Sequence, residues 1–529
     1  MASYRIGIDV GGTHTDAVLL DEAYNVISEV KATTTEDVSS GIYQALKEVV
    51  AASGVPVEQI HYAMLGTTHC TNAIVERKRL NKVAAIRIGA PATTAIKPLV
   101  GVPDDLRAIL GKHLYIVRGG NQFDGREIVP LDEERIREIA EEVKGQVDSL
   151  AITSVFSPVS TEHETRAAKV VREVLGDEIA VSLSSEIGSV GLLERENATI
   201  LNAAIVDVAT STANGFIKAL EQEGIHADIF FGQNDGTLMS VEYTVKYPIL
   251  TIACGPTNSL RGAAYLTDHP NALVVDVGGT TTDVGVLVAS FPRQSSLAVE
   301  IGGVRTNFRM PDIASIGLGG GTIITLNNDG SFQIGPESVG YRLIEKGLVF
   351  GGDTLTTTDV AVALGIAELG DPSLVSHLDK EVLEKVYAKM VEMVEETIDK
   401  MKTSSDSVPV ILVGGGSILF PAELKGASKV IKPKNSGVAN AIGSAISQVS
   451  GQIEKIFKTD ELGREETLAL AKKMAFDEAI QAGADPEDLV IVDLEEVPLS
   501  YLPGNATKIR VKAAGGLLSE RKLTGATPS

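Results

Sequence analysis

Two stretches of the sequence repeat one another although they lie far apart in the chain. Residues 6–16 read IGIDVGGTHTD, and residues 274–284 read VVDVGGTTTDV. Each stretch joins two apolar runs through a glycine-rich turn, and this pattern predicts a β-hairpin. The sequence therefore predicts two equivalent hairpins, each with one aspartate before its turn and a second aspartate after it.

The spacing of these glycines excludes two common nucleotide-binding motifs. A dinucleotide-binding fold needs a strand, the pattern G-x-G-x-x-G and then a helix. Neither stretch has that spacing, and a strand rather than a helix is predicted after each turn. The P-loop pattern G-x-x-x-x-G-K-[ST] does not occur in the sequence. The two turns therefore indicate a different kind of phosphate site.

The chemistry of the turns suits phosphate and a divalent cation. Successive backbone N–H groups in a tight glycine turn hold phosphate oxygens, and threonine hydroxyls add donors. Carboxylates beside phosphate repel it unless a cation such as Mg²⁺ stands between them. We therefore expect the two hairpins to hold one Mg²⁺–nucleotide from opposite sides. The predicted nucleotide-binding residues are Gly11, Gly12, Thr13, Thr15, Gly278, Gly279, Thr280 and Thr281. The predicted metal ligands are Asp9, Asp16 and Asp276, and the predicted catalytic residues are Asp9, Asp276 and Asp283.

Two further glycine runs follow the second hairpin. Residues 408–419, VPVILVGGGSIL, predict a buried strand, a glycine loop and then a helix. Such a loop can lie against a flat ring or a ribose, where any Cβ would intrude. We assign Gly414, Gly415, Gly416 and Ser417 to that contact. The run SIGLGGGTI at residues 315–323 also predicts close approach to a ligand, through Gly319 and Gly320.

Between and beyond the hairpins, helical and strand-like periods alternate, which predicts an α/β fold. Residues 132–185 twice repeat an amphipathic helix followed by a buried strand, and residues 191–224 predict one long helix. Residues 378–402 predict a helix with an apolar stripe that faces a core. From about residue 452, a charged helix and two strand-like runs predict an appended α+β piece.

Composition narrows the class of partner and the compartment. The formal charge of −23 argues against nucleic acid or an anionic membrane as partner. The two cysteines, Cys70 and Cys254, cannot build a disulfide framework or a four-thiolate metal site. The sequence shows no secretory leader and no apolar run of about 18 residues. We therefore expect a cytoplasmic protein.

The order of these motifs carries a resemblance. A phosphate hairpin, an inter-lobe helix, a second phosphate hairpin, a strand with an adenosine loop and a small-residue helix resemble the actin, hexokinase and heat-shock chaperone ATPase superfamily. The resemblance implies two ribonuclease-H-like lobes that close over Mg–ATP. Asp9 and Asp276 match the acidic residues that hold the metal and its waters. Gly414, Gly415 and Gly416 match the adenosine loop.

Within the superfamily, the chain more closely resembles the A subunits of the hydantoinase and 5-oxoprolinase group. The matching stretches run in family order and are GIDVGGTHTDAVL, GTTHCTNAI, SSEIGSVGLLERENATILNA, ACGPTNSLRGA, DVGGTTTDV, SIGLGGGTI, IGPESVG and TTTDVAVALG. The resemblance implies three units: an N-terminal hydantoinase/oxoprolinase lobe at residues 1–183, a hydantoinase A lobe at 184–451 and a C-terminal α+β segment at 452–529.

What the resemblance implies for function is ATP-dependent opening of a cyclic amide such as a hydantoin, oxoproline or lactam. The carbonyl oxygen is phosphorylated, and water then attacks the activated carbon. The cofactors implied are ATP and Mg²⁺, and the partner implied is a B-type subunit or neighbouring-gene protein, with homo-oligomerisation left open. His69, Asn72, Arg195 and Asn202 are the candidate substrate residues. Arg195 could hold a substrate carboxylate or pair with Glu194 on a solvated face.

Other functions share the same nucleotide motifs. The nearest alternative is a carboxylase subunit that phosphorylates a ketone. A small-molecule kinase or a chaperone-like reactivating ATPase would also keep both hairpins. A thiol nucleophile at Cys254 is disfavoured because no paired histidine is evident. Asp312 and Asp359 are predicted to be helix caps or loop acids rather than bases.

Overall fold

The computed structural model describes residues 3–11, 14–33, 38–295, 299–308, 310–327, 329–499 and 505–517. Two predicted phosphate-binding residues, Gly12 and Thr13, lie outside the described residues.

The first third of the chain supplies strands and helices in alternation. Its strands are β1 (Tyr4–Val10), β2 (His14–Leu20), β3 (Val26–Thr33), β4 (Ile60–Thr67), β5 (Val83–Ala90), β6 (His113–Arg118), β7 (Ser149–Ser154) and β8 (Ala180–Leu183). Its helices are α1 (Val38–Ser53), α2 (His69–Glu76), α3 (Asp104–Leu110), α4 (Glu133–Val143) and α5 (Glu162–Leu175).

The middle of the chain contains the second hairpin and the longest helices. Its strands are β9 (Asp228–Gly232), β10 (Leu238–Ser240), β11 (Ala272–Val277), β12 (Thr282–Val288), β13 (Phe291–Pro292), β14 (Val299–Ile301), β15 (Val304–Thr306), β16 (Ile313–Ile316), β17 (Thr322–Leu326), β18 (Phe332–Ser338), β19 (Val408–Val413) and β20 (Ala427–Ile431). Its helices are α6 (Ser184–Ile187), α7 (Leu192–Ala204), α8 (Val206–Gln222), α9 (Val241–Lys246), α10 (Cys254–Thr267), α11 (Leu343–Lys346), α12 (Thr357–Ala363), α13 (Lys380–Met401) and α14 (Ala439–Ile446).

The last part of the chain adds β21 (Val449–Lys458), α15 (Thr459–Leu462), α16 (Arg464–Gln481), β22 (Val490–Pro498) and β23 (Ala506–Gly515). Short 3-10 helices lie at Val57–Gln59, Pro248–Thr251, Gly340–Arg342, Leu348–Phe350, Pro372–Val375, Gly415–Leu419 and Ser436–Val438.

Two sheets repeat one strand arrangement. In the described part of the first sheet, the strand order is β22-β23-β21-β10-β9-β4-β1-β2-β3. There β1, β2 and β3 are antiparallel neighbours, while β4 runs parallel to β1 and β9 parallel to β4. In the second sheet β11, β12 and β16 are antiparallel neighbours, while β19 runs parallel to β11 and β20 parallel to β19. The predicted α/β fold with two related lobes is therefore confirmed.

The strand register places the aspartates of each motif side by side. Asp9 on β1 lies directly across from Asp16 on β2, and Asp276 on β11 lies directly across from Asp283 on β12. Directly opposite residues on an antiparallel pair project to the same face of a sheet. Each hairpin therefore presents two adjacent carboxylates just before and after its glycine turn.

The predicted helix–strand alternation forms a separate layer. In the described chain, β6, β5, β7 and β8 make a four-stranded parallel sheet in that order. Helices α4 and α5 pack their buried residues against it, among them Ile136, Ile139 and Val171. Parallel strands need crossover connections, and these amphipathic helices supply them. The inserted α/β layer is therefore confirmed.

The predicted long helix at residues 191–224 is instead two helices, α7 and α8, bent by 44° at Ile205. The prediction of one helix is wrong because the apolar spacing continues across the break and so does not reveal it. Among the described helices, none is by itself long and apolar enough to cross a membrane. Helices α7 and α8 reach that length and apolar composition only when the bent pair is taken together. On α13 the predicted apolar stripe is buried, including Leu383, Met390 and Ile398.

The C-terminal segment extends the first sheet. Strand β21 pairs with β10 and β23, and β22 forms the edge beyond β23. Helix α16 packs on these strands through Ala471, Ala475 and Ala479. Because β9 and β10 also join this sheet, it draws strands from all three predicted sequence units. The division of the chain into units at residues 183 and 451 stays a prediction. These boundaries do not coincide with the boundaries between sheets.

Two helices join the lobes by very close contact. Helix α10 packs against strands of both sheets, and α14 packs against α10 and β1. A Cβ added at Gly262 on α10 would lie 1.8 Å from the Ala439 carbonyl oxygen. A Cβ added at Gly443 on α14 would lie 1.8 Å from the Asn258 carbonyl oxygen. The two helix backbones therefore touch at glycines, which fixes the distance between the lobes.

We expect Gly443→Ala to destabilise the protein by about 1–3 kcal/mol, since overpacking at a tight contact forces backbone shifts. Differential scanning calorimetry would show this as a lower Tm. Gly437→Ala is the matched control, because a Cβ at Gly437 would meet nothing within 4 Å. Equal Tm values for the two variants would show that the helix contact is not constrained in this way.

Candidate functional site

Both hairpins open onto one cleft with a volume of about 400 Å³. The predicted site residues that line it are Asp9, Gly11, Asp16, Asp276, Gly278, Gly279, Thr280, Thr281, Asp283, Gly320, Gly414, Gly415 and Gly416. The fold thus brings together residues from three distant parts of the chain. The cleft contains most of the hairpin and loop residues that the sequence predicts for a nucleotide site.

The same backbone hydrogen bond closes both hairpins. In the first, the Gly11 N–H donates to the His14 carbonyl oxygen at 2.9 Å. In the second, the Gly278 N–H donates to the Thr281 carbonyl oxygen, also at 2.9 Å. The symmetry seen in the sequence is therefore a symmetry of structure at the cleft.

Side-chain amides hold the carboxylates of the first hairpin. The Asn440 side-chain amide donates to both Asp9 and Asp16, each at 3.0 Å. The Asn258 amide donates to the other oxygen of Asp9 at 3.2 Å. Asn440 lies on α14 and Asn258 on α10, so the inter-lobe helices also orient the carboxylates.

Hydroxyl groups hold the carboxylates of the second hairpin. The Ser259 hydroxyl on α10 donates to Asp276, and the Ser315 hydroxyl on β16 donates to Asp283. Ser259 lines the cleft together with Asp276. One helix, α10, therefore supplies a donor to the leading aspartate of each hairpin.

The carboxylates lie where their charge is disfavoured. Burial raises the pKa of Asp9 to about 6, and the charges of Asp16 and Asp276 add to the rise. Desolvation raises the pKa of Asp283 to about 6, with a further contribution from the charge of Asp276. Burial also raises the pKa of Asp276. A cation in the cleft would relieve this accumulation of negative charge.

Lys31 is the cation that the chain itself supplies to the first hairpin. Its Nζ donates to Asp16 at 2.7 Å and to the Gly437 carbonyl oxygen at 3.0 Å. Lys31 lies on β3 and lines the cleft. Sequence reasoning missed this residue because nothing in the motif marks a lysine fifteen positions after Asp16.

The donor set fits a hard divalent cation. Mg²⁺ prefers oxygen ligands and is commonly held by one or two carboxylates together with substrate phosphates. Glycines leave space beside both leading aspartates. A Cβ at Gly66 would lie 2.2 Å from an Asp9 oxygen, and a Cβ at Gly414 would lie 2.3 Å from an Asp276 oxygen. Within the described residues, no cluster of three His, Cys, Asp or Glu side chains could hold a metal ion.

The glycines of the 414–416 loop have different roles. Gly414 has φ +82°, and a Cβ there would lie 2.4 Å from the Val277 carbonyl oxygen. A Cβ at Gly416 would lie 2.6 Å from a Val277 methyl carbon. At Gly415 the nearest atom is the Lys31 Cε, 3.4 Å away. Gly414 and Gly416 therefore let the loop pass the end of β11, while Gly415 has more space around it.

Two details of this loop differ from the prediction. The predicted helix after the glycines is a 3-10 helix, Gly415–Leu419. Ser417 is buried and does not line the cleft. Its N–H donates to the Gly414 carbonyl oxygen at 3.1 Å, so the tight turn carries Ser417 away from the cleft.

The glycine run at residues 319–321 braces the second hairpin. The Gly320 N–H donates to the Gly278 carbonyl oxygen at 3.0 Å, and the Gly321 N–H to the Gly279 carbonyl oxygen at 2.7 Å. A Cβ at Gly319 would lie 2.6 Å from the Thr280 nitrogen. Gly320 lines the cleft but Gly319 does not. The predicted close approach is therefore present, but at Gly319 the neighbouring group is the backbone of the second hairpin and not a ligand.

Thr15 is buried and lies outside the cleft lining. It precedes Asp16 on β2, and successive side chains of a strand point to opposite faces. The prediction that Thr15 binds the nucleotide is therefore not supported, because Asp16 takes the face that reaches the cleft.

The predicted substrate residues do not line this cleft. His69 is largely buried beside Thr67, and desolvation lowers its pKa to about 4. Asn72 is exposed on α2. The Asn202 amide donates to the Ser182 hydroxyl and to the Lys246 carbonyl oxygen, each at 3.0 Å. These residues therefore make internal contacts or face solvent.

Arg195 fits neither of its two predicted roles. It is buried on α7 and donates to the Ser184 hydroxyl and to the carbonyl oxygens of Ser154 and Ser189. Burial lowers its pKa. The guanidinium is thus occupied by internal oxygens rather than by Glu194 or an open ligand site.

The other acidic and thiol candidates behave as expected. Asp359 forms a capping box with Thr356 at the start of α12. Asp312 pairs with Arg293 at 2.6 Å. Burial raises the pKa of the Cys254 thiol to about 12, which keeps it protonated and inert. None of Asp312, Asp359 and Cys254 lines the cleft.

Two models of one protein family match this chain. The family model described as hydantoinase/oxoprolinase N-terminal region matches residues 5–175. The model described as hydantoinase/oxoprolinase matches residues 195–369. The chain belongs to the hydantoinase/oxoprolinase family. The matched ranges contain both hairpins and the glycine run that braces the second one.

Two relatives show the breadth of this family. The chain is 27% identical to the caprolactamase alpha subunit of Pseudomonas jessenii over 388 residues, which cover 68% of this chain and 54% of that protein. It is 28% identical to the acetophenone carboxylase gamma subunit of Aromatoleum aromaticum over 389 residues, which cover 68% of this chain and 53% of that protein. The aligned part thus spans about half the length of each relative.

A solved structure shares the fold. The crystal structure of the ATP-dependent caprolactamase from Pseudomonas jessenii superposes with a TM-score of 0.77 at 20% identity. The superposition covers 97% of this chain and 87% of that one. Nearly the whole chain therefore shares its fold with that structure.

The buried Asp9 carboxyl predicts a pH-dependent stability of the nucleotide-free protein. Its folded pKa of about 6 exceeds the ordinary value of 3.8, so protonation favours the folded state. The stabilisation is complete below about pH 3.8 and is lost as the pH rises through about 6. Removing this carboxyl should flatten the pH dependence.

Between pH 4 and pH 7, we expect the free energy of unfolding of the wild type to fall by about 1–3 kcal/mol more than that of Asp9→Asn. Urea unfolding in EDTA at several pH values measures the two curves. Asp207→Asn, at an exposed position on α8, should keep the wild-type curve. Parallel curves for wild type and Asp9→Asn would contradict the expected burial penalty.

Proposed function

We propose that this chain is the nucleotide-binding subunit of an ATP-dependent enzyme that opens a cyclic amide of the hydantoin, oxoproline or lactam type. The observation that carries the proposal is the meeting of two equivalent hairpins at one cleft. Each hairpin contributes a glycine turn and a pair of cross-strand aspartates. Within this family, the caprolactamase name and the fold it shares support a cyclic amide as the substrate class.

The nucleotide would lie along the cleft with its phosphates at the two turns. The backbone of Gly278 and Gly279 and the hydroxyls of Thr280 and Thr281 line one wall, and Gly11 lines the other. Backbone N–H groups and hydroxyls are the donors that phosphate oxygens accept. Lys31 adds a positive charge on the same side as Gly415.

The base would lie at the apolar end of the cleft. Leu343, Leu369 and Ile418 line it, and Leu369 and Ile418 are 37% and 43% exposed. Exposed leucine and isoleucine side chains in a cleft offer the apolar contact that a flat aromatic ring needs. Sequence reasoning assigned the base to glycines alone and missed these side chains.

Asp9 and Asp276 would hold Mg²⁺ between the hairpins. The ion would neutralise charge on the phosphates and raise the reactivity of the terminal phosphorus. The amides of Asn258 and Asn440 and the hydroxyl of Ser259 keep the two carboxylates oriented toward the cleft. Asp283 stands directly across from Asp276 and adds a second carboxylate to that hairpin.

The proposed reaction has two balanced steps. In the first, the amide carbonyl oxygen attacks the terminal phosphorus of ATP and ADP leaves. The second step consumes two waters: one adds to the activated carbon and the ring C–N bond breaks with protonation of the nitrogen, which leaves an acyl phosphate. The other water hydrolyses the acyl phosphate to a carboxylate and inorganic phosphate. Phosphorylation helps because an amide carbonyl is a poor electrophile until its oxygen becomes part of a leaving group. A B-type partner subunit is proposed to complete the site for the second step.

A second candidate function is the phosphorylation of a ketone for carboxylation. The similarity to the acetophenone carboxylase gamma subunit favours it. Both reactions begin with transfer of phosphate to a carbonyl oxygen, so the hairpin cleft serves either one. The two differ in the acceptor and in the need for bicarbonate.

The test combines the purified chain with the product of its neighbouring gene. We expect ADP release to rise when a hydantoin, a lactam or 5-oxoproline is added without bicarbonate. Acetone and acetophenone with bicarbonate form the second arm of the panel. Stimulation only in the ketone arm would replace the hydrolase with the carboxylase, and no stimulation in either arm would end both proposals.

We expect Asp276→Asn to lower ATP turnover on the order of 100-fold or more, because the carboxylate that would hold Mg²⁺ is lost. Thermal unfolding should show a Tm no lower than that of the wild type, since Asn removes a buried charge. Asp312→Asn, in an ion pair outside the cleft, is the control. Normal turnover in Asp276→Asn would mean that the metal lies elsewhere.

A further inference from the structure

The nucleotide cleft contains many acidic groups and very little positive charge. Among the described residues that line it, Lys31 is the only lysine or arginine. The carboxylates in the same lining are those of Asp9, Asp16, Asp276 and Asp283. A nucleotide brings further negative charge into the cleft. The position of this lysine therefore decides which phosphates the chain itself can stabilise.

Lys31 marks a difference between the two otherwise equivalent hairpins. In the first sheet, Lys31 on β3 lies directly across from Asp16 on β2. At the equivalent place in the second sheet, Ser315 on β16 lies directly across from Asp283 on β12, and its hydroxyl donates to that carboxylate. A hydroxyl is thus sufficient to hold the second aspartate of a hairpin. Holding Asp16 does not by itself require a lysine.

The Lys31 side chain reaches from the first lobe to the second. Strand β3 belongs to the first sheet, whereas Gly415 follows β19 and Gly437 follows β20 in the second lobe. The Lys31 Nζ donates to the Gly437 carbonyl oxygen at 3.0 Å. A Cβ added at Gly415 would lie 3.8 Å from the same nitrogen. The ammonium group therefore lies against the glycine loop to which the nucleoside contact is assigned.

The ammonium group of Lys31 has a donor left for a ligand. A lysine ammonium carries three N–H donors. Its contacts with described residues use two of them, one to Asp16 at 2.7 Å and one to the Gly437 carbonyl oxygen. The side chain is 35% exposed and lines the cleft. A phosphate oxygen can therefore accept the third N–H while both existing hydrogen bonds remain.

Asp16 fixes the position of this ammonium group. One of its carboxylate oxygens accepts from Lys31, and the other accepts from the Asn440 side-chain amide at 3.0 Å. Asp16 is only 4% exposed. Both oxygens are thus engaged within the chain, and the carboxylate is held from two sides. Asp16 can therefore hold Lys31 at one place in the cleft.

The place of Lys31 along the cleft selects the phosphates that it can contact. Gly415 lies beside it, and Ile418 of the same 3-10 helix lines the apolar end where the base is proposed to lie. The terminal phosphate is proposed to lie with Mg²⁺ at Asp9 and Asp276. Between the base and the terminal phosphate of ATP lie the two phosphates that remain on ADP.

From these observations we propose that Lys31 binds the phosphates of the ADP part of the nucleotide, with Asp16 as its positioning residue. The inference rests on the proposed function and makes its nucleotide site more specific. When the terminal phosphoryl group is transferred, the bridging oxygen keeps the electron pair of the broken P–O bond, so ADP gains negative charge. Lys31 stabilises that charge on the leaving ADP.

The test measures binding by isothermal titration calorimetry on the full chain with Mg²⁺. The probes are ADP, adenosine and a non-hydrolysable ATP analogue. We expect Lys31→Met to weaken ADP binding at least about tenfold and to leave adenosine within about twofold, because only the diphosphate meets the ammonium group. The fold loss for the ATP analogue should equal the loss for ADP within about threefold.

The matched control is Lys47→Met, at an exposed position on α1, which should bind all three probes like the wild type. A cooperative thermal transition shows that Lys31→Met is folded. Unchanged ADP binding in Lys31→Met, or an equal loss for adenosine, overturns the proposal. A loss confined to the ATP analogue would place Lys31 at the terminal phosphate and would overturn it as well.

A double variant tests whether Lys31 only neutralises Asp16. If it does, removal of the Asp16 charge restores ADP binding in Lys31→Met/Asp16→Asn to within about twofold of the wild type. We expect instead that the double variant binds ADP at least about tenfold more weakly than the wild type. Restored binding would contradict a contact between Lys31 and phosphate.

The Mg²⁺ requirement tests the role of Asp16. In Asp16→Asn, the Mg²⁺ concentration that gives half-maximal ADP binding should stay within about twofold of the wild-type value, because this carboxylate serves Lys31. An increase of about tenfold or more would show that Asp16 holds the metal and is not a positioning residue.

Failure of this inference and failure of the proposed function are separable. Amide-stimulated ADP release together with wild-type ADP binding in Lys31→Met would keep the hydrolase and remove the role of Lys31. ADP binding that depends on Lys31, without any stimulated ADP release, would keep the phosphate contact and remove the hydrolase. Absence of ADP binding to the wild-type chain would overturn the inference together with the nucleotide site.

Discussion

Concentrated negative charge in a buried cleft is the constraint on which the rest of this structure depends. Two cross-strand aspartate pairs face one cleft, and burial raises the pKa of Asp9, Asp276 and Asp283. The fold offsets part of that cost with amide and hydroxyl donors from α10 and α14 and with Lys31. The remaining cost favours binding of a cation together with its phosphate ligands.

Glycines make this arrangement sterically feasible. They lie where strands, turns and helices approach more closely than a Cβ permits, as at Gly66 beside Asp9 and at Gly443 against α10. The glycine-rich composition therefore reflects backbone contacts at least as much as ligand contacts. The loop at residues 414–416 shows both, since all three glycines line the cleft and the outer two also clear β11.

The local pattern of the sequence was enough to predict both hairpins, the inserted layer and the core face of α13. It could not reveal Lys31, Asn258 or Asn440, because each reaches the carboxylates from an element far away in the chain. Strand alternation could have excluded Thr15 from the cleft, since Asp16 beside it must take the opposite face. Arg195 was misassigned because sequence patterns do not distinguish a charged side chain with internal partners from one that awaits a ligand.

The first sheet is built from strands that are far apart in the order of synthesis. Its hairpin is synthesised before the strands of the second sheet, whereas β21, β22 and β23 are synthesised after them. The second sheet, by contrast, is complete once β20 has been made. During translation the second lobe can close on itself while the first still exposes the edge of β10. The ribosome-bound chain therefore carries an unfinished sheet whose apolar faces need protection until its final strands arrive.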